Sequence, residues 1–121
     1  MADKIGGVAY LKVDGTQYAL RGNLVVSPDP FEREGKAGQD GIHGFTETPR
    51  VPFIEADITD MGGLSLEKLR ALQDNTVTAE LANGKTYVAR NAWTAGARDL
   101  NTAEGTTKVK FEAKKIDEMM K

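Results

Sequence analysis

Apolar and polar residues alternate with a period of two along much of this chain, the pattern of strands buried on one face only. Val8 to Val13 and Thr16 to Leu20 form two such runs around Asp14-Gly15, a pair suited to the positive φ angles of a type I′ turn, so together they predict a hairpin. Asn23 to Ser27 predicts a third short strand, stopped by Pro28 and Pro30. Val51 to Thr59 sets Ile54, Ala56 and Ile58 against Phe53, Glu55 and Asp57, with Pro52 restricted to the strand start or an edge. The period then changes. Leu66, Leu69 and Leu72 recur every three residues behind Ser65, a good N-cap, and predict one short helix from Ser65 to about Gln73 that tertiary packing must hold. Val77, Ala79 and Leu81 next alternate with Thr76, Thr78 and Glu80, and Asn83-Gly84 turns the chain into Lys85 to Ala92, a second hairpin. A loop through Gly96 and Gly105 leads to a last strand in which Val109, Phe111 and Ala113 alternate with Lys108, Lys110 and Glu112. Residues 115–121, with Met119 and Met120, read as a flexible tail.

Six or seven short strands and one helix predict a mainly β fold, a small antiparallel barrel or sandwich, in a single domain spanning residues 1–121. A curved sheet that does not close leaves edges to be covered or paired, and pairing between subunits is one solution.

Pro28 to Arg50 breaks the alternation. Connections in compact domains run to about 4–6 residues, and a loop this long is usually functional or disordered. Its large apolar residues, Phe31, Ile42 and Phe45, are spaced too irregularly to form one face of a helix or strand, so the expectation is a loop ordered by another molecule. Gly35, Gly38, Gly41 and Gly44 recur every three residues and invite a phosphate-cradle reading. A P-loop, however, requires Gly-Lys followed by Ser or Thr and a helix, whereas Lys36 is followed by Ala37 and more glycine; no GxGxxG spacing or β-α-β unit is present either.

Charge narrows the function classes further. Sixteen basic and eighteen acidic residues give a net charge of −2, the wrong sign for gripping nucleic acid through its phosphates. The local excess of Lys108, Lys110, Lys114, Lys115 and Lys121 is interrupted by Glu112, Asp117 and Glu118 and reads as a solvated strand and tail. With no cysteine, disulfides and thiolate chemistry are excluded. No apolar run reaches 18 residues and no signal or lipidation pattern is present, so the expectation is a soluble cytoplasmic protein with no membrane partner.

No catalytic constellation emerges. His43 is the single histidine and has no cysteine or second histidine with which to share a metal, which favours a local or interfacial hydrogen bond. Ser27 and Ser65 lack a nucleophile-elbow context. Glu55 and Asp57 share a strand face and can be drawn as a carboxylate pair, but the ordinary reading is a wet, acidic face. Trp93, between Arg90 and Arg98, is a core or interface anchor, since Trp and Arg are enriched in binding hot spots. The remaining reading is an interaction or assembly protein that is not an enzyme and takes no cofactor.

Several blocks of sequence carry a resemblance: Ala9 to Gly15, Leu20 to Leu24, Glu32 to Gly35 with Ala37 to Gly41, Pro49 to Glu55, and Thr76 to Gly84 running on to Arg90 to Gly96. In order and spacing, from near the amino terminus to about Glu112, they resemble the tail tube proteins of Mu-like phages with contractile tails. The resemblance implies a tail-tube-like β-barrel or sandwich flanked by one helix. It also implies hexameric rings stacked into a hollow tube inside a tail sheath, built around a tape-measure protein from the baseplate and closed by a tail terminator protein. Viral DNA would pass through without specific binding. The protein would reside in the virion tail, and in the host cytoplasm during assembly; the alternative is a monomeric tail-associated adaptor or completion protein that does not polymerise. On this reading the segment 28–50 reaches a neighbouring subunit, with Phe31, Arg33, Gly35, Gly38, Gly41, His43, Phe45, Arg50 and Trp93 as inter-subunit contacts. Either Glu55 and Asp57 or Thr78 and Glu80 would face the lumen.

Overall fold

A computed structural model describes residues 9–18, 20–59, 66–97 and 99–119; for residues 9 and 21–23 it describes the backbone alone. Val8, Ser65, Arg98 and Met120 therefore lie outside the described residues. β1 (Ala9–Val13) and β2 (Thr16–Tyr18) form the expected hairpin, with Asp14 at φ 50° and Gly15 at φ 86°. β3 (Leu20–Ser27) is longer than the pattern suggested. The segment expected to be a loop instead contains β4 (Phe31–Gly38) and β5 (Gly41–Pro49), followed by β6 (Phe53–Thr59). Helix α1 (Leu66–Arg70) is shorter than the leucine spacing implied: Leu69 is buried, and Leu66 and Leu72 pack against the core. It ends where the Thr94 hydroxyl donates to the Leu69 carbonyl at 2.7 Å and the Thr94 amide to that of Leu72 at 3.2 Å, capping carbonyls that a longer helix would satisfy itself.

β7 (Asn75–Leu81) and β8 (Thr86–Ala95) form the second expected hairpin, with Gly84 at φ 94°. β8 runs past the expected end at Ala92, so Trp93 lies within the strand. The loop through Gly96 and Gly105 contains the two-residue β9 (Leu100–Asn101), which pairs with β10 (Thr106–Glu112). The expected tail is strand too: β11 (Ile116–Met119) pairs with β8, with Ile116 opposite Ala89 and buried beside it. Ile116 is flanked by Lys114, Lys115, Asp117 and Glu118, too weak a pattern to announce a strand by itself.

The strands pair in the order β2-β1-β7-β8-β10-β6-β3, all antiparallel, with β11 on β8 and β9 on β10. Among the described residues the path does not close. β2 and β3 stand at its two ends, and β11 has β8 alone as a paired neighbour among the described residues. β8 belongs to both halves because a bulge near Asn91 (φ 55°) bends it: its first part pairs with β7 and β11, its last part with β10. The two halves face each other across one core. Leu11, Val13, Val77 and Ala79 come from one, Ile54, Ala56, Ile58, Val109 and Phe111 from the other, and Leu69 and Ile116 are buried with them. The alternation read along β6, β7 and β10 is the alternation observed, because each of these strands packs one face on the core and leaves the other to water. The buried hydroxyl of Thr107 donates to the Asp99 carbonyl at 2.9 Å, so it is satisfied.

Candidate functional site: an arm, a cleft and two outward faces

The hairpin of β4 and β5 makes a two-stranded sheet of its own, and every residue from Phe31 to Pro49 is exposed. At about 3.3 Å per residue, eight paired residues reach some 25 Å from the body. Arg50 fixes its root. The Arg50 amide donates to the Pro30 carbonyl at 2.9 Å, and its guanidinium donates to the Asp29 carbonyl at 2.8 Å while lying 5.8 Å from the Phe53 ring centre.

Register overturns the expectation that the arm's apolar residues share no face. Phe31 lies opposite Pro49, Arg33 opposite Glu47 and Gly35 opposite Phe45, but Lys36 lies opposite Gly44 and Ala37 opposite Ile42, leaving His43 as an extra residue. Residues directly opposite one another in an antiparallel ladder point to the same side. Without the bulge Ile42 would point away from Phe45; with it, Phe31, Ala37, Ile42, Phe45 and Pro49 line one face. Glu32, Glu34, Lys36, Thr46 and Thr48 take the other. Phe31, Ile42 and Phe45 are 52%, 86% and 59% exposed, so nothing among the described residues buries this face. Arg33 bonds Glu47 at 2.7 Å and lies 5.0 Å over the Phe45 ring, bridging the apolar face.

The tip of the arm is organised around the bulge. His43 Nε2 lies 2.6 Å from Asp40 Oδ1, and this contact holds the Asp40 carboxyl below the usual carboxylate range. The imidazole occupies the space a side chain on Gly38 would need: a Cβ there would lie 2.3 Å from the ring. Gly41 and Gly44 take φ of 133° and 131°, values that favour glycine. The glycines that suggested a phosphate cradle thus build a turn and a bulge.

Trp93 is half-buried on the outward face of β8, opposite Glu112 and beyond the Asn91 bend. It lines a cleft of about 530 Å³ with Arg90, Lys114 and Lys115 as cations and Asp74 and Asp117 as carboxylates. Asp117 is already engaged, by Arg90 at 2.8 Å and Lys115 at 3.4 Å, and the cleft retains an excess of positive charge. Beyond the nearness of Trp93 to Arg90, no signal in the sequence grouped these residues, because Arg90 and Lys115 are brought together only when β11 docks on β8.

The two expected polar faces lie on different halves of the sandwich. Thr78 and Glu80 point outward from β7, where Lys12 bonds Glu80 at 3.4 Å. Glu55 and Asp57 point outward from β6, but their face is not acidic as the strand alone suggested: Lys110 and Lys108 lie directly opposite on β10, with Lys108 Nζ 3.8 Å from Glu55. Lys110 also sits 4.4 Å from the Phe53 ring centre. Among the described residues no group of three or more His, Asp or Glu is placed to hold a metal ion, and no helix is long and apolar enough to cross a membrane.

Open strand edges, a projecting arm with a bare apolar face and two charge-balanced sheet surfaces define an assembly protein. The chain belongs to the phage tail tube protein family, whose model matches residues 2–118. It is 27% identical over 89 residues to the tail tube protein of Escherichia phage Mu, covering 74% of this chain and 75% of that protein. The fold is similar to those of several solved structures. It matches the anti-feeding prophage tube-terminating cap with a TM-score of 0.65 at 12% identity, over 100% of this chain and 93% of the other. It matches the sheath-tube complex of an extracellular contractile injection system at 0.62 and 10% identity, over 99% and 93%. For Hcp1 of Flavobacterium johnsoniae the TM-score is 0.60 at 13% identity, over 93% and 95%.

Proposed function

We propose that this tail tube protein is the repeating subunit of a contractile phage tail, forming hexameric rings that stack into a hollow tube inside a sheath and conduct viral DNA to the host. The observation that carries the reading is the arm: some nineteen residues with an apolar face are exposed in the single chain, and a contiguous exposed apolar face marks an interaction site. The edges of β3 and β11 that have no paired neighbour among the described residues support the same conclusion, since closing a ring across subunits removes edges. A sheath partner is supported by the match to a subunit of a sheath-tube complex. The tape-measure, baseplate and terminator partners rest on the family alone.

One of the two outward sheet faces lines the channel. Both suit a conduit, because their lysines face carboxylates and each unpaired phosphate contact would hold back a sliding polyanion. A structure of the assembled tube in which neither Glu55 and Asp57 nor Thr78 and Glu80 reach the lumen sinks this assignment.

A second reading has an observation of its own: a tube-terminating cap matches this fold as well as a tube subunit does. On that reading the protein is a tail-associated component that does not polymerise. Sedimentation and negative-stain microscopy of concentrated protein decide between them. Tubes are expected from the wild type, and none from a protein lacking Gly35 to Gly44, whose body stays folded. Monomer at every concentration favours the cap-like reading.

A further inference from the structure

We infer that residues 28–30 and 50–52 are a proline-cut joint within one continuous hairpin, and that Arg50 is the positioning residue that holds the arm at a set angle to the body. The joint belongs to the single chain, whether or not that chain polymerises. Register shows the continuity. On the body side Val26 lies opposite Ile54 and Ser27 opposite Phe53; on the arm side Phe31 lies opposite Pro49 and Glu32 opposite Thr48. Three residues separate the two ladders on each strand, so β4 and β5 continue the β3–β6 pairing in the same register. Connectors of equal length leave no slack on either side: the arm can bend or twist there, but not slide.

Composition explains why the ladder stops. All four prolines of the chain flank this joint: Pro28, Pro30, Pro49 and Pro52. Proline donates no backbone hydrogen bond and holds φ at about −65°, short of the strand range of about −120° to −140°. The pairing of the body sheet is therefore cut, and it resumes three residues further on. The body side of the joint is firmly seated, because Pro52 is buried and its carbonyl accepts from the amide of buried Ala113 at 3.2 Å. The arm side leaves through water, with Asp29, Pro30 and Val51 exposed.

Arg50 joins the two sides. Its amide donates to the Pro30 carbonyl at 2.9 Å and its guanidinium to the Asp29 carbonyl at 2.8 Å, which ties the outgoing connector to the returning one. The same guanidinium lies 5.8 Å from the ring centre of Phe53, the first residue of β6, and Lys110 of β10 lies 4.4 Å from that ring. A planar guanidinium can donate in its plane while its face rests on an aromatic ring, which a lysine ammonium cannot reproduce. Side-chain contacts thus fix the angle where ladder bonds are missing. A preset direction reduces the ordering cost of any association the arm enters.

The chain has no cysteine, so two can be introduced as spin-label sites. Thr46→Cys, midway along the arm opposite Glu34, and Lys108→Cys on β10 are both at exposed positions. Double electron–electron resonance between the two labels, on the full chain with Arg50 in place, is expected to give one narrow distance peak. Arg50→Ala is expected to spread that peak into a broad distribution while the melting temperature of the body stays unchanged. Arg33→Ala, which removes the guanidinium beyond the joint, is expected to leave the peak as it was. A broad distribution with Arg50 in place overturns the inference, as does a narrow peak that survives Arg50→Ala or an equal broadening by Arg33→Ala. A fall in melting temperature on Arg50→Ala as large as that on Ile116→Ala makes Arg50 part of what holds the body together, and overturns the positioning role as well.

Discussion

Arg33 and Glu47 face each other across the arm and join at 2.7 Å, with the guanidinium also lying over Phe45 at 5.0 Å. Both side chains are open to water, where such a pair contributes about 0–1 kcal/mol. A lone two-stranded hairpin is marginal in water. The arm of a free subunit should therefore open far more often than the body. Amide hydrogen exchange is expected to show little protection from Phe31 to Pro49 and strong protection along β6 and β10, with protection of the arm appearing on assembly.

Gly38 and His43 should behave as a unit. A methyl group at position 38 meets the imidazole at 2.3 Å, so Gly38→Ala must displace His43 from Asp40. Because His43 is the main cause of the lowered Asp40 carboxyl, Gly38→Ala and His43→Ala are each expected to raise the Asp40 titration midpoint, and the double variant to raise it no further. NMR titration of the Asp40 carboxyl carbon measures this.

Asp14 ties the first hairpin to β7. Its carboxylate accepts from the Thr76 amide at 2.8 Å and from the Asn75 side-chain amide, and these two bonds, the first the larger, hold its carboxyl below the usual value. A carboxyl depressed in the folded state contributes stability that is fully present above its unfolded value of about 3.9 and is lost as pH falls through the lower folded value. Asp14→Asn suits the same positive φ. It is expected to lower the melting temperature at pH 7 and to flatten its fall between pH 5 and 3, as read by circular dichroism.

Ile116 tests whether the carboxy-terminal strand is structural. The side chain is buried against Ala89, and β11 is further fixed by Tyr87 donating to Glu118 at 2.8 Å and Arg90 to Asp117 at 2.8 Å. Ile116→Ala should destabilise the fold by about 2–5 kcal/mol in urea unfolding, whereas Glu118→Ala, on the exposed side, should cost about 1 kcal/mol or less.

The sequence by itself determined the body of this protein. Period-two alternation in β6, β7 and β10, the Asp14-Gly15 and Asn83-Gly84 turns and the three leucines near α1 are local signals, and local sterics and one-sided burial suffice to read them. It likewise marked the segment 28–50 as a break in the alternation, and its blocks carried the family. Tertiary structure decided what that segment is. One bulged residue, His43, reverses which side of the strand Ile42 faces, and a one-residue change of register is invisible until the opposing strand is in place. The same holds for the cleft at Trp93, assembled by the bend of β8 and the docking of β11, and for the charge balance of β6, whose carboxylates meet their lysines only across the ladder to β10. Pairing between strands distant in sequence sets all three, and no periodicity within one strand encodes it.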